Sequence, residues 1–183
     1  HYSLFYEAWR GGGNNSYMYS QDLNKDGYAY DLIYIPEKAE DVIWATPEDA
    51  QNFFAFVEQD KYLSTHKGQY AEAYSVYSPW VHRVDLSYKH DFKVNVGKTT
   101  HKLQLSCDIK NVLNLFNSEW GVSKVMNSTL NSGRILKFEG TDAQGYPTFS
   151  TPSAVNADTK TWIRNHAIGQ CWYASVGIKY IFN

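Results

Sequence analysis

Apolar and polar side chains alternate with a period of two over several long stretches of this chain, and the clearest of these is the last. From Trp172 to Phe182 the even positions, Trp172, Ala174, Val176, Ile178, Tyr180 and Phe182, are apolar, whereas Tyr173, Ser175, Gly177 and Lys179 are polar, small or amphipathic. That period predicts a strand with one apolar face, because successive side chains on a pleated strand point to opposite sides. Rings stand at both ends of the face with small aliphatics between them. A strand that crosses lipid has this distribution, its aromatic side chains lying at the two interfaces. A soluble sandwich strand with an aromatic face is the competing reading.

The same alternation runs from Pro79 to about residue 96. Trp80, Val84, Leu86, Tyr88, Phe92 and Val94 alternate with Arg83, Asp85, Ser87, Lys89, Asp91 and Lys93. His82 and His90 share the apolar side and bracket a band long enough to cross a bilayer on a tilted strand. No pair of histidines has zinc-ligand spacing with a companion carboxylate or thiol, so these two read as interfacial residues. A short turn over Gly97 to Thr100 leads to Leu103, Leu105, Cys107 and Ile109, opposed by Gln104, Ser106, Asp108 and Lys110. Residues 1 to 10 form a further candidate strand, with Tyr2, Leu4 and Tyr6 set against Phe5 and Trp9. The expected strands are therefore about 1–10, 79–96, 101–116 and 169–183, with Val84, Leu86, Leu105, Ile109, Val176 and Ile178 on one outer surface. Arg83, Asp85, Gln104, Asp108 and Lys179 should face the other way.

Between these strands one turn is short and two connections are long, about 11–78 and 117–168. The first opens with Gly11 to Gly13, Asn14 and Asn15, which break the strand. It then carries Asp22, Asn24, Asp26, Gly27 and Asp31. Oxygen side chains on alternate residues, followed by a glycine, let a short loop wrap a hard cation, with the carbonyl of Tyr28 as a further ligand. The pattern matches the first half of an EF-hand loop; Ile33 stands where the closing Glu belongs, so Asp31 has to complete the shell. A metal-free polar turn rich in Asp, Asn and Gly is the alternative. Further on, Thr46 and Pro47 predict a helix start. Ala50, Phe53, Phe54 and Val57 give that helix an apolar face. In the second connection, Arg134 to Glu139, a turn through Asp142 to Gly145, and Tyr146 to Ser150 predict a hairpin.

Composition narrows the choice. Aromatic residues make up 16% of the 183, with 15 Tyr and 6 Trp, which suits aromatic girdles or a stacking surface. A net charge of -2 offers no electrostatic case for a nucleic-acid partner. No apolar run approaches the roughly 20 residues of a membrane helix, so a bilayer-crossing role requires strands. The two cysteines, Cys107 and Cys171, fall on opposite faces of their expected strands, which argues against a bridge. The sequence starts at His1 inside a strand pattern and reads as a piece of a longer protein. Asn14 and Asn127 open sequons, which carry weight only where the source glycosylates them.

The run Asn111 to Asn117, Asn-Val-Leu-Asn-Leu-Phe-Asn, resembles the penultimate-strand motif of TonB-dependent outer-membrane receptors. The likeness extends to Asp22–Pro36, to Ser78–Leu86 and to Tyr180–Asn183, and is greatest with the large receptors of Bacteroidetes that carry an N-terminal carboxypeptidase-regulatory-like domain. Ser175, Gly177, Tyr180 and Phe182 resemble the terminal signal read by the barrel assembly machinery, although Asn183 follows the aromatic. What the resemblance implies is an all-β chain, the last four antiparallel strands of a barrel of about 22 strands with a plug in its lumen. The strands would run up, down, up, down, leaving both long connections outside the cell. It further implies nutrient uptake energised by TonB, contact with outer-membrane lipid and with the rest of the barrel and its plug, and a surface lipoprotein as a companion.

Ser, His and Asp residues are present, but no nucleophile sits in a recognisable elbow and no glycine-rich loop precedes a helix, so the expectation is a transporter segment and not an enzyme. A calcium-dependent surface binding or adhesion module is the alternative, followed by an outer-membrane barrel enzyme.

Overall fold

A computed structural model describes residues 1–11 and 15–182. Gly12, Gly13 and Asn14, with the predicted glycine break and the first sequon, lie outside the described residues, as does Asn183. In chain order the elements are β1 (Tyr2–Arg10), β2 (Met18–Tyr19), β3 (Tyr34–Ile35), β4 (Ile43–Trp44), α1 (Pro47–Gln59), α2 (Lys61–Thr65), β5 (Gln69–Tyr70), β6 (Trp80–Val96), β7 (Thr99–Lys110), α3 (Val112–Phe116), β8 (Lys124–Met126), β9 (Arg134–Thr141), β10 (Pro147–Ser150), β11 (Trp162–Arg164) and β12 (Tyr173–Phe182). The chain is mostly strand with few helices, compatible with an all-β class. It divides into two compact units. Unit 1 comprises His1–Gly11, Pro79–Lys124 and Arg164–Asn183, and unit 2 comprises Gly12–Ser78 and Val125–Ile163.

Unit 1 is built on one four-stranded antiparallel sheet in the order β1-β6-β7-β12. Two expected boundaries need correction. The strand expected over 101–116 stops at Lys110, because Asn111 adopts a left-handed conformation (φ 53°, ψ 51°) and residues 112–116 form a helical turn. The strand expected from 169 starts at Tyr173, because Ile168–Gln170 coil into a 3₁₀ turn. Cys171 therefore precedes β12 instead of lying on one of its faces; both thiols are free.

Unit 2 draws both long connections into a single core. Its sheet, in the order β2-β9-β10-β4, mixes parallel and antiparallel pairs contributed by segments more than 100 residues apart. The β9–β10 hairpin turns over Asp142–Gly145, where the Gly145 amide donates to the Asp142 carbonyl (3.1 Å). Helix α1 starts at the predicted cap, the Thr46 Oγ accepting from the Asp49 amide at 3.2 Å. Its buried face comprises Ala50, Phe53, Phe56 and Val57. Phe56 joins the buried face in addition to the predicted residues, and Phe54 is only half-buried at its margin, with Trp44 of β4 edge-on against it. Around this helix pack Tyr17, Ile33, Ile35, Leu63 and Ile135, all buried. Complete burial of each such side chain contributes about 1.5–3 kcal/mol.

Asp60 joins the parts of that core. It caps α2 by accepting from the Tyr62 and Leu63 amides at Oδ1, both at 2.9 Å. Its Oδ2 accepts from the Tyr17 hydroxyl (2.7 Å) and the Thr161 hydroxyl (2.6 Å). Burial first, then the neighbouring Asp60 charge, hold the Tyr17 phenol well above its ordinary value. A raised folded-state value means that the stabilisation is fully present below the unfolded value and is lost as pH climbs through the folded one. Unit 2 should therefore weaken progressively above about pH 10. Denaturant midpoints measured across alkaline pH should show that slope, and Tyr17→Phe should flatten it; an unchanged slope would discard the assignment.

Candidate functional site

The register of the unit 1 sheet shows what its two faces offer. Cross-strand partners share a face, so the rows Leu4–Leu86–Ile109–Ala174, Tyr2–Tyr88–Cys107–Val176, His90–Leu105–Ile178 and Phe92–Leu103–Tyr180 all lie on one side. Among the described residues of unit 1 no buried cluster is built on that side: the hydrophobic core cluster belongs to unit 2, and Leu4, Val176 and Ile178 are 68%, 77% and 72% exposed. Toward one end of the face, Tyr2, Tyr88, His90 and Phe92 form a continuous chain of ring contacts, with centroids 4.9, 6.2 and 4.4 Å apart. His101, Tyr180 and Phe182 extend it across β7 and β12, with the Tyr180 hydroxyl bonded to the His101 ring. Toward the other end stand Trp80 and the stacked pair Tyr6–His82, in which the Tyr6 hydroxyl lies 2.8 Å from His82 Nδ1. Aliphatic side chains fill the band between the two sets of rings.

The opposite face is polar and internally paired. Lys110 Nζ meets Asp85 Oδ2 at 2.8 Å, and Lys102 Nζ meets Asp91 Oδ2 at 2.7 Å. Gln104 donates to the free oxygen of Asp91 (2.8 Å), and Ser87 donates to Asp108 (2.5 Å). Toward the end of this face the Arg83 guanidinium stacks on Trp9 at 5.2 Å. Gly177, opposite Ser106 in the register, leaves room for its partner: a Cβ there would come within 2.7 Å of the Ser106 Oγ. Of the four residues of the terminal signal, Ser175 and Gly177 thus share the polar face, whereas Tyr180 and Phe182 share the ringed one.

The asparagines of the Asn111–Asn117 motif act as a corner. Asn111, 1% exposed, donates its amide to Asp85 Oδ1 (2.8 Å) and its side-chain nitrogen to the Gly121 and Gln170 carbonyls (3.1 and 2.8 Å). Asn114 donates to the Ser118 and Trp120 carbonyls and accepts from the Trp172 amide. Two asparagines thereby bind the end of β7, the 118–121 segment and the approach to β12. Gly121 has to be glycine, since its φ is +66° and a Cβ would overlap the Asn111 Oδ1 at 1.8 Å. The roles of Asp85 and Gln170 in this corner were not legible in the sequence; an Asp on the polar side of a strand carries no mark of a partner 26 residues away.

The loop singled out for calcium curls on itself. Asp22 accepts from the Asp26 and Gly27 amides (3.2 and 2.8 Å), Asn24 from the Asp26 amide (2.9 Å), and Asp26 from the Tyr28 amide (2.8 Å). Asp31 closes it by accepting from the Leu23 and Asn24 amides (2.5 and 3.2 Å). The side-chain oxygens of Asp22, Asn24, Asp26 and Asp31 therefore converge on one short stretch of backbone; the Tyr28 ring stays exposed. Among the described residues no group of three or more His, Cys, Asp or Glu is arranged to hold a metal ion. Arg134 moors the loop to β9 through the Ala29 carbonyl (3.2 Å) and the Tyr30 ring (5.8 Å).

Among the described residues no helix is long and apolar enough to cross a membrane, a test that does not bear on strands. Comparison of the chain with protein-family models, with curated proteins and with solved structures finds no match.

Proposed function

We propose that unit 1 is a segment of a transmembrane β-barrel in a bacterial outer membrane, the last four strands of a TonB-dependent receptor that imports a nutrient. The observation that carries this reading is the uncovered apolar face, continuous over four strands and bracketed by rings, opposite an ion-paired polar face. In water such a face has no stable role unless something covers it; in a bilayer, lipid does. The polar face would then line the lumen, and the two long connections would lie outside the cell.

Both outer strands support the same reading. Among the described residues β1 and β12 each pair on one side only. Four strands do not close a barrel, and an open ladder edge in lipid leaves backbone groups unsatisfied at several kcal/mol each. Further strands of the same receptor should therefore pair with both edges. The isolated 183-residue chain should aggregate or require detergent, and uptake by the whole protein should require TonB. A monomeric, folded chain that stays soluble without detergent would remove the transporter reading.

Calcium at Asp22, Asn24, Asp26, Asp31 and the Tyr28 carbonyl belongs to the same proposal. The loop is already wound by its own amides; the accepting oxygens of Asp22, Asn24 and Asp26 each retain a second lone pair for a cation, whereas Asp31, whose Oδ2 takes two amides, would have to offer Oδ1. If it binds, calcium at about 100 times its Kd should stabilise unit 2 by about 2.7 kcal/mol, read as a rise in Tm after chelator treatment. Asp22→Asn with Asp26→Asn should abolish the rise. A Tm indifferent to calcium would leave the polar turn as the full account of these residues.

A further inference from the structure

The polar face of the unit 1 sheet is unevenly charged along its length. Near Trp9 it carries Glu7, Asp85 and Asp108 with Arg83 and Lys110, so acids and bases roughly balance. Toward the Gly97 turn the balance is lost. There Lys89, Lys93, Lys102 and Lys179 share three successive cross-strand rows with a single carboxylate, Asp91. Lys93 and Lys102 stand directly opposite each other, a like-charge pair that weakens a sheet. Both oxygens of Asp91 are engaged, one with Lys102 Nζ at 2.7 Å and the other as acceptor from Gln104 at 2.8 Å. Lys89, Lys93 and Lys179 are exposed and carry no ion pair among the described residues. The remaining positions of these rows, Ser106, Gly177 and Ile181, add neither charge nor ring.

We propose that this end of the polar face docks an acidic, extended segment of a partner protein. The occupant follows from charge and spacing. Four ammonium groups beside one carboxylate leave positive charge that the sheet itself does not offset, so the complement is anionic. The lysines lie on three adjacent strands about 4.8 Å apart, and Lys89 and Lys93 are about 13 Å apart along β6. Charges spread in this way over a sheet suit a ligand whose own charges are spread, whereas a small anion is held by groups that converge in a cleft. An extended peptide with acids four residues apart repeats the Lys89–Lys93 interval, because both chains rise about 3.3 Å per residue. Nucleic acid fits less well: surfaces that bind it add rings on which bases stack, and these rows have none. Lysine supplies charge without a fixed fork, so the spacing of acids should matter more than the exact sequence around them. The lysine surface is the same whether lipid or protein covers the opposite face.

Titration of the whole protein against a short fluorescent peptide with Glu at every second position, read by anisotropy, tests this. The Glu peptide should bind, its Gln counterpart should not, and binding should weaken as salt rises. Lys93→Gln combined with Lys179→Gln should lower the affinity about tenfold, whereas Lys160→Gln in unit 2 should leave it unchanged. Lys93→Gln removes a like-charge contact, so Tm should hold or rise, and weaker binding then does not come from unfolding. Equal affinity of wild type and the double variant would overturn the docking surface, as would absence of binding. Equal binding of the Glu and Gln peptides would do the same without any variant. Tighter binding of oligothymidylate than of the Glu peptide would overturn the protein partner in favour of nucleic acid.

Discussion

Asp60→Ala should destabilise unit 2 by about 3–5 kcal/mol, as much as truncating one of its fully buried phenylalanines. Four donors end on this one carboxyl: two α2 amides and the Tyr17 and Thr161 hydroxyls. Asp60 is 3% exposed and Tyr17 is fully buried, so water cannot readily replace the lost acceptor. Each stranded buried donor costs about 1–3 kcal/mol, and loss of a helix cap alone costs about 1 kcal/mol; the terms overlap, because all four depend on one group. Against a typical domain stability of about 5–15 kcal/mol this is enough to leave unit 2 partly unfolded. Denaturant unfolding followed by a probe in unit 2, such as Trp44 emission, measures it. Asp60→Asn should fall between wild type and Ala, since an amide keeps an acceptor oxygen but adds donors of its own. A loss below about 1 kcal/mol would mean that the four bonds are not a joint anchor.

Arginine in place of Leu105 or Val176 should cost about 2–4 kcal/mol in a membrane-folded protein, and the cost should shrink toward the rings. Along β7 and β12 both residues have aliphatic or thiol neighbours, Leu105 beside Ile178 and Val176 beside Cys107, while on β6 His90 and Tyr88 stand in the same rows. A guanidinium there has neither water nor a partner, because Lys, Asp and Ser side chains all occupy the other face. Phe182→Arg, at the ringed end, should cost about 0–1 kcal/mol. Ser106→Arg, on the polar face, is expected to change what the lumen wall presents without preventing membrane folding, provided that it clears Gly177. Equilibrium unfolding in vesicles gives these values. A flat profile, with Leu105→Arg no worse than Phe182→Arg, would contradict a bilayer on this face and favour a partner protein as its cover.

Much of unit 1 was legible in the sequence because its determinants are local. Side chains on a pleated strand alternate whatever the strand pairs with, so the polar and apolar rows of β6, β7 and β12 can be read from residue order alone. The start of α1 is similarly local, since Thr46 and Asp49 are three residues apart. The calcium motif lies at the boundary of what residue order can reveal. Its oxygen side chains are legible, but whether they serve a cation or the loop's own amides depends on conformation.

Other features arise only in three dimensions. The end of β7 at Lys110 is set by Asn111, whose left-handed turn is held by Asp85, Gly121 and Gln170, residues drawn from three separated segments. In residue order only Asn111 interrupts the apolar row that runs from Leu103 to Leu115, and a single asparagine does not fix where a strand stops. Unit 2 is the larger case. Its sheet joins β2 to β9 and β4 to β10, and Asp60 meets Thr161 across 101 residues. Periodicity reports only which side of an element is apolar; which distant element covers that side is decided by packing. From its sequence this chain therefore determined two-faced strands and a capped helix. Only the tertiary structure decided that both long connections share one core, and that among the described residues of unit 1 the ringed face of the sheet carries no buried cluster.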